Sequence, residues 1–294
     1  MRWKQITLVG VGLLGGSLGL AIRRRGLAQR VVGFVRRRAS LAECRKLRAV
    51  DYATLDLLEA VTEAELVVLC TPIAQMRPLL EQLRPGLKPG AIITDVGSVK
   101  GSVVKELEGL SRDVGAHFVG SHPMAGAEKT GVAAARADLF VNAICVVTPT
   151  RQTNRRALRQ VARLWQAVGA RLLRLSPGEH DKLVSRSSHL PHLVAAQLAS
   201  LVLEPDAPKT QGLLCANGFR DTTRIASSSP EMWRDIVLAN RRNLTASMDT
   251  FIGQLQGLRN VLNRGDEKAL WRFFSQAKQR RDRWSRQAAS PSPE

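Results

Sequence analysis

Through residue 175, short apolar runs alternate with stretches of helical period; beyond it only helical patterns continue. Ile6 to Val9, Arg30 to Val35, Glu65 to Thr71 and Ala91 to Asp95 read as strands, as do His117 to Val119, Ala143 to Thr148 and Arg171 to Leu175. Helical segments fall between them: one after Gly15, one from Ser40-Leu41-Ala42-Glu43 with its capping-box spacing, one from Pro72 to about Leu83, one from Asn154 to Val168. Glu65 to Thr71 lacks polar alternation, as expected of a strand covered on both faces. The order predicts an α/β doubly wound sheet over residues 1–175, with ligands at the carboxyl ends of its strands. An all-α domain over 176–286 should follow. Its first helix runs from Pro177 to Leu203 with a kink at Pro191, a second from Ser229-Pro230 to about Asn263, a third from Glu267 to Arg286. Long helices with short connections suit a homodimer interface, and residues 287–294 read as a disordered tail.

The first strand runs into Gly10-Val11-Gly12-Leu13-Leu14-Gly15, the spacing G-x-G-x-x-G between a strand and a helix. In a dinucleotide site Gly10 makes the tight turn, Gly12 admits a pyrophosphate close to backbone, and Gly15 lets helix and strand approach. The helix N-terminus offers the phosphates free N–H groups. The other reading is a structural glycine turn. An acidic residue on the ribose hydroxyls is expected about twenty residues further on. Here the second strand ends at Val35, and Arg36, Arg37 and Arg38 follow. Guanidinium groups would pair with a 2′-phosphate that a carboxylate would repel, so the basic turn favours NADP, with NAD possible; the alternative is a turn that simply faces solvent.

The formal charge of +19 raises nucleic acid or an anionic membrane as partner. Arginines outnumber lysines 34 to 10 and are dispersed, and a single Tyr leaves little for stacking on bases. Neither nucleic acid nor membrane is expected as partner, and no apolar run is long enough for a spanning helix. Four widely spaced cysteines suit a reducing cytoplasm rather than disulfides or a metal site.

Two polar clusters sit just past strand ends: Asp95 to Lys100, with Ser98, and Gly120 to Gly126, with His122. Pro123 biases His122 away from helix, so a rigid loop is expected, where an imidazole can act in proton transfer. In the helical part, Ser188-His189-Leu190-Pro191-His192 brings two histidines to the proline, and Arg220 and Arg224 lie four apart.

These stretches together resemble the arogenate and prephenate dehydrogenases of tyrosine biosynthesis, up to about Arg286. The matching segments are GVGLLGGSL at 10–18, CTP at 70–72, DVGSVKG at 95–101, SHPMAGAEKTG at 121–131, SHLPH at 188–192, GFRDTTRIA at 218–226 and PEMWRDI at 230–236. The resemblance implies a Rossmann domain, a helical dimerisation domain, and oxidative decarboxylation of a cyclohexadienol. It implies that His122 takes the proton of the ring hydroxyl, that Ser98 orients it, that Arg224 binds a substrate carboxylate, and that His192 lines the pocket; Glu128 reads either as a substrate-site residue that gates or orients or as a loop-surface carboxylate. It implies cofactor contacts from Gly10, Gly12, Leu13, Leu14 and Gly15, from Val35, Arg36 and Arg37, and from Thr71, Pro72 and Ser98. Arg224 with His192 favours the keto acid prephenate over arogenate, whose ammonium would profit from an acidic partner. A β-hydroxyacid dehydrogenase or imine reductase would share the glycine loop but not His122, SHLPH and TRIA together.

Overall fold

The computed structural model describes residues 2–126 and 131–289. Its strands are β1 (Trp3–Val9), β2 (Ala28–Phe34), β3 (Tyr52–Thr54), β4 (Leu66–Leu69), β5 (Ile92–Asp95), β6 (His117–Pro123), β7 (Ile144–Thr148) and β8 (Arg171–Arg174). They form one sheet in the order β3-β2-β1-β4-β5-β6-β7-β8. All pairings are parallel except β6 with β7. The order reverses between β1 and β4, and the crevice beyond their carboxyl ends is where such sheets bind nucleotides.

Six helices accompany the sheet: α1 (Leu13–Arg24), α2 (Arg38–Leu47), α3 (Leu57–Val61), α4 (Ile73–Leu83), α5 (Gly101–Arg112) and α6 (Arg155–Ala167). Side chains alternate across a strand, so each buried strand feeds two cores. Leu66 and Val68 of β4 pack with Leu18 of α1 and Trp165 of α6, while Val67 and Leu69 pack with Leu80 of α4 and Leu107 of α5. Burial on both faces removes the period-two signal, which is why β4 reads as unbroken apolar sequence.

Among the described residues no strand follows β8; α7 (Pro177–Val184), α8 (Leu190–Val202), α9 (Lys209–Leu213), α10 (Asn217–Thr223), α11 (Pro230–Ala239), α12 (Arg241–Asn263) and α13 (Glu267–Ala289) complete the chain. By contacts the chain divides into two compact units, Met1–Leu244 and Thr245–Glu294. The second holds α13 and all but the first residues of α12. No helix of the described residues is long and apolar enough to cross a membrane.

Four local expectations change. His122 is not on a loop: β6 runs on through Pro123 because its second half leaves β5 and pairs with β7, placing His122 opposite Val146. The 177–203 helix contains a π turn, Ser185–His189, just before α8. Pro191 has no N–H for the carbonyl four residues back, and a widened turn absorbs the break. The helix expected from Pro230 to Asn263 is interrupted at Asn240, which closes α11 with φ −110° and ψ 20°. The last helix continues past Arg286 to Ala289, so the start of the expected tail is helical.

Candidate active site

The glycine loop has the conformation its spacing predicts. Gly10 has φ +96°, and a Cβ there would meet the Cys70 carbonyl oxygen at 2.9 Å. A Cβ on Gly15 would run into the Gly10 carbonyl, whereas one on Gly12 would meet nothing within 4 Å. The open space over Gly12 is what a pyrophosphate needs. Gly12 caps α1 without a side-chain hydrogen bond, and the first turn holds no acidic residue. The N–H groups and dipole of α1 therefore remain available to an anion.

One crevice of about 440 Å³ runs from this loop to the start of α11. Gly12, Leu13, Leu14, Thr71, Pro72 and Ser98 line it, together with Gly126 beyond β6 and Ser229 and Met232 at the start of α11. The Thr71 hydroxyl is buried without a hydrogen-bond partner. Val35 is buried in the core, while Arg36 and Arg37 beside it are exposed. These features fit a nicotinamide dinucleotide.

Beneath the crevice lies a polar network that links β5, β6 and α7. Asp95 ends β5, and its carboxylate accepts from the backbone N–H of Gly97 at 2.8 Å and of Ser121 at 3.0 Å. The Lys100 ammonium, fully buried, pairs with Asp95 and donates to the Ser121 carbonyl at 2.8 Å. Burial pushes the Lys100 pKa down, against the pull of Asp95. Ser121 donates to the Asp95 carbonyl at 2.5 Å and accepts from the Trp165 indole at 3.0 Å. This bonding fixes the backbone on which His122 is the next residue.

On the other side, Ser176 caps α7 by accepting from Glu179 N, and Pro177 opens its first turn. That start presents His180 and Asp181 inward, both buried. Asp181 accepts from the backbone N–H of Lys100 at 2.7 Å and of Gly101 at 2.8 Å, so a carboxylate from α7 caps α5. Gly101 leaves room for this, since a Cβ would meet Asp181 Oδ2 at 2.8 Å. The imidazoles of His122 and His180 share a hydrogen bond, Nδ1 to Nε2, at 2.8 Å, and His180 Nδ1 donates to Asp181 Oδ1 at 2.8 Å.

Burial, then the cost of gaining charge beside His180, Lys100 and His189, holds the His122 pKa well below the ordinary imidazole value. His122 is thus a neutral imidazole at pH 7. Burial likewise lowers His189 to about 4. Asn240, at the break between α11 and α12, donates to the Asp181 carbonyl at 2.8 Å and to His189 Nδ1 at 3.1 Å. His192 stacks on Trp233, and burial lowers its pKa too. Arg224 opens a 3-10 turn, Arg224–Ser227, that packs on α8, the helix carrying His192; its side chain is exposed. Glu128 lies outside the described residues.

Sequence reasoning passed over His180, Asp181, Asn240 and Trp233. His180 and Asp181 sit in the first turn of a helix with ordinary capping signals, and nothing in that stretch says its start is buried. The adjacent His-Asp pair was the one visible hint.

Residues 18–174 match the model of the family described as prephenate dehydrogenase, nucleotide-binding domain, and residues 176–276 that of prephenate dehydrogenase, dimerization domain. The chain is 39% identical to a prephenate dehydrogenase of Bacillus subtilis over 94% of this chain and 75% of that one. Among solved structures it is similar to the Aquifex aeolicus prephenate dehydrogenase in complex with hydroxyphenyl propionate and NAD+, with a TM-score of 0.90, 33% identity and coverage of 96% and 99% of the two chains. The Synechocystis arogenate dehydrogenase superposes with a TM-score of 0.80 at 33% identity, over 95% and 99% of the two chains.

Proposed function

The chain belongs to the prephenate dehydrogenase family, and on that footing we propose that it converts prephenate to 4-hydroxyphenylpyruvate by NADP-dependent oxidative decarboxylation. It is a nicotinamide-dependent oxidoreductase. The observation that carries the reaction is a buried His122 on β6, whose continuation past Pro123 lines the same crevice as Gly12 and Ser98, while the choice of prephenate rests on Arg224 with His192.

The bound nicotinamide supplies a hydride acceptor. Removing hydride from a carbinol carbon leaves positive charge unless the hydroxyl proton is withdrawn, and neutral His122 withdraws it. The proton returns to the same oxygen when carbon dioxide leaves and the ring becomes aromatic. Ser98 orients hydroxyl or imidazole from the crevice wall. Arg224 pairs with a substrate carboxylate, for which a guanidinium has matching geometry. His192 lines the pocket, and Glu128 is assigned there with it. Arg36 and Arg37 hold the 2′-phosphate of NADP. The enzyme acts as a homodimer through the region matching the dimerization domain. Four free cysteines fit a reducing compartment, and the cytoplasm is the location that goes with this reading.

Steady-state turnover of prephenate and arogenate, each with NAD and NADP, tests the proposal. The highest kcat/KM is expected for prephenate with NADP. A higher value for arogenate would overturn the substrate assignment, and a higher value with NAD the cofactor assignment.

A further inference from the structure

Two buried side chains outside the proposed contact set bear on His122: His180 bonds it directly, and Asp181 bonds His180. The bonding fixes where the protons are. Asp181 Oδ1 and Oδ2 accept from the backbone N–H groups of Lys100 and Gly101. These N–H groups belong to the N-terminus of α5, a helix of 12 residues whose positive dipole end faces the carboxylate. Asp181 is then only an acceptor, so the proton of their 2.8 Å contact sits on His180 Nδ1. With a single proton, on Nδ1, His180 offers Nε2 as an acceptor, and the 2.8 Å contact to His122 Nδ1 then takes its proton from His122. A second proton on His180 would make it a cation paired with Asp181 and turn His122 Nδ1 into the acceptor, so the tautomer of His122 separates the two arrangements. In the singly protonated arrangement His122 Nε2 is the unprotonated nitrogen, the one a substrate hydroxyl needs.

We propose that His180 and Asp181 are positioning residues of this enzyme: Asp181 fixes the tautomer of His180, His180 fixes that of His122, and the pair disperses the charge His122 gains when it takes the substrate proton. The inference rests on the reading that His122 is the proton acceptor. The step balances without a co-reactant. The substrate O–H bond breaks as N–H forms at His122 Nε2, the Nδ1 proton shifts toward His180 Nε2, and both movements reverse when the phenol forms. Asp181 stays ionised throughout, its charge facing the cation that appears on His180. The surroundings favour this direction of sharing. Burial, His180, Lys100 and His189 all oppose charge on His122 itself, whereas His180 is the ring in contact with a carboxylate.

The test combines kinetics with 15N NMR of imidazole-labelled enzyme. In the wild type, His122 is expected as the neutral Nδ1–H tautomer. Asp181→Asn keeps an oxygen at the Oδ1 position, which takes Lys100 N–H and His180, but removes the charge facing His180 and sets an NH2 against the Gly101 N–H, so kcat is expected to fall about 100-fold or more. His180→Phe should lose kcat about 100-fold, while His180→Gln, whose carbonyl can still accept from His122, should recover roughly tenfold of that loss. KM for substrate and the Kd of the cofactor should change less than about threefold throughout. An Nε2–H tautomer of His122 in the wild type overturns the proposal. So does a kcat within about threefold of wild type in Asp181→Asn and His180→Phe, or a kcat loss matched by loss of cofactor affinity. If the wild type turns over neither cyclohexadienol, the functional reading fails, and the tautomer still decides the bonding.

Discussion

The imidazole of His192 lies flat on the indole of Trp233, centroids 3.6 Å apart and planes 24° from parallel. His192 comes from α8 and Trp233 from α11, so the stack ties two helices of the first unit together. Burial keeps His192 neutral at pH 7. The indole Nε1 is buried without a hydrogen-bond partner in the protein.

Trp233→Leu removes the stack, worth about 0.5–1.5 kcal/mol. KM for the substrate should rise up to about tenfold with a smaller change in kcat, and Trp233→Phe should restore most of it. Initial-rate kinetics on the three proteins checks this; equal KM values would detach His192 from substrate binding.

His122→Asn should lower kcat by about 10²–10⁴-fold while cofactor binding, followed by fluorescence titration, stays intact. The sign of the pH effect follows from burial. The folded pKa of His122 lies below the ordinary 6.5, so the active neutral ring persists below pH 6.5. The acidic limb of kcat/KM should accordingly fall well below pH 6.5. A limb at or above that value would show His122 solvated.

Gly12 and Gly15 separate cofactor binding from folding. Gly12→Ala meets nothing in the protein and should melt like wild type, yet weaken the cofactor about tenfold or more through contact with the pyrophosphate. Gly15→Ala collides with the Gly10 backbone and should lower Tm with or without cofactor. Calorimetry with a cofactor titration reads both.

Lys100 and Asp95 are each fully buried. Lys100→Met strands a carboxylate in the interior and should cost about 3–5 kcal/mol in denaturant unfolding. Adding Asp95→Leu should recover part of it, since removing both charges removes the desolvation cost. A single mutant as stable as wild type would mean that water reaches the pair.

Arg36 and Arg37 are exposed beside the end of β2. Replacing both by Ser should raise KM for NADP by about 10–100-fold and leave KM for NAD nearly unchanged, the mark of a lost charge-assisted phosphate contact. Parallel titration with the two cofactors distinguishes this from a general weakening.

The sequence by itself determined the alternation of strands and helices, the glycine loop, the basic end of β2 and the family motifs. Each is written in neighbouring residues: period, spacing, or a short string such as SHPMAG. It also selected His122 without its neighbours, because a motif names a residue and not its surroundings. Tertiary structure decided the rest. β6 carries His122 past the parallel sheet because β7 returns antiparallel, a pairing between stretches more than twenty residues apart that no local pattern encodes. α11 stops at Asn240 because its amide is drawn to Asp181 and His189, 59 and 51 residues away. The chain from Asp181 through His180 to His122 exists because the start of α7 packs on the start of α5. Among the described residues a carboxylate, two imidazoles and a helix N-terminus come together there in one buried space, which no local pattern in the sequence could assemble.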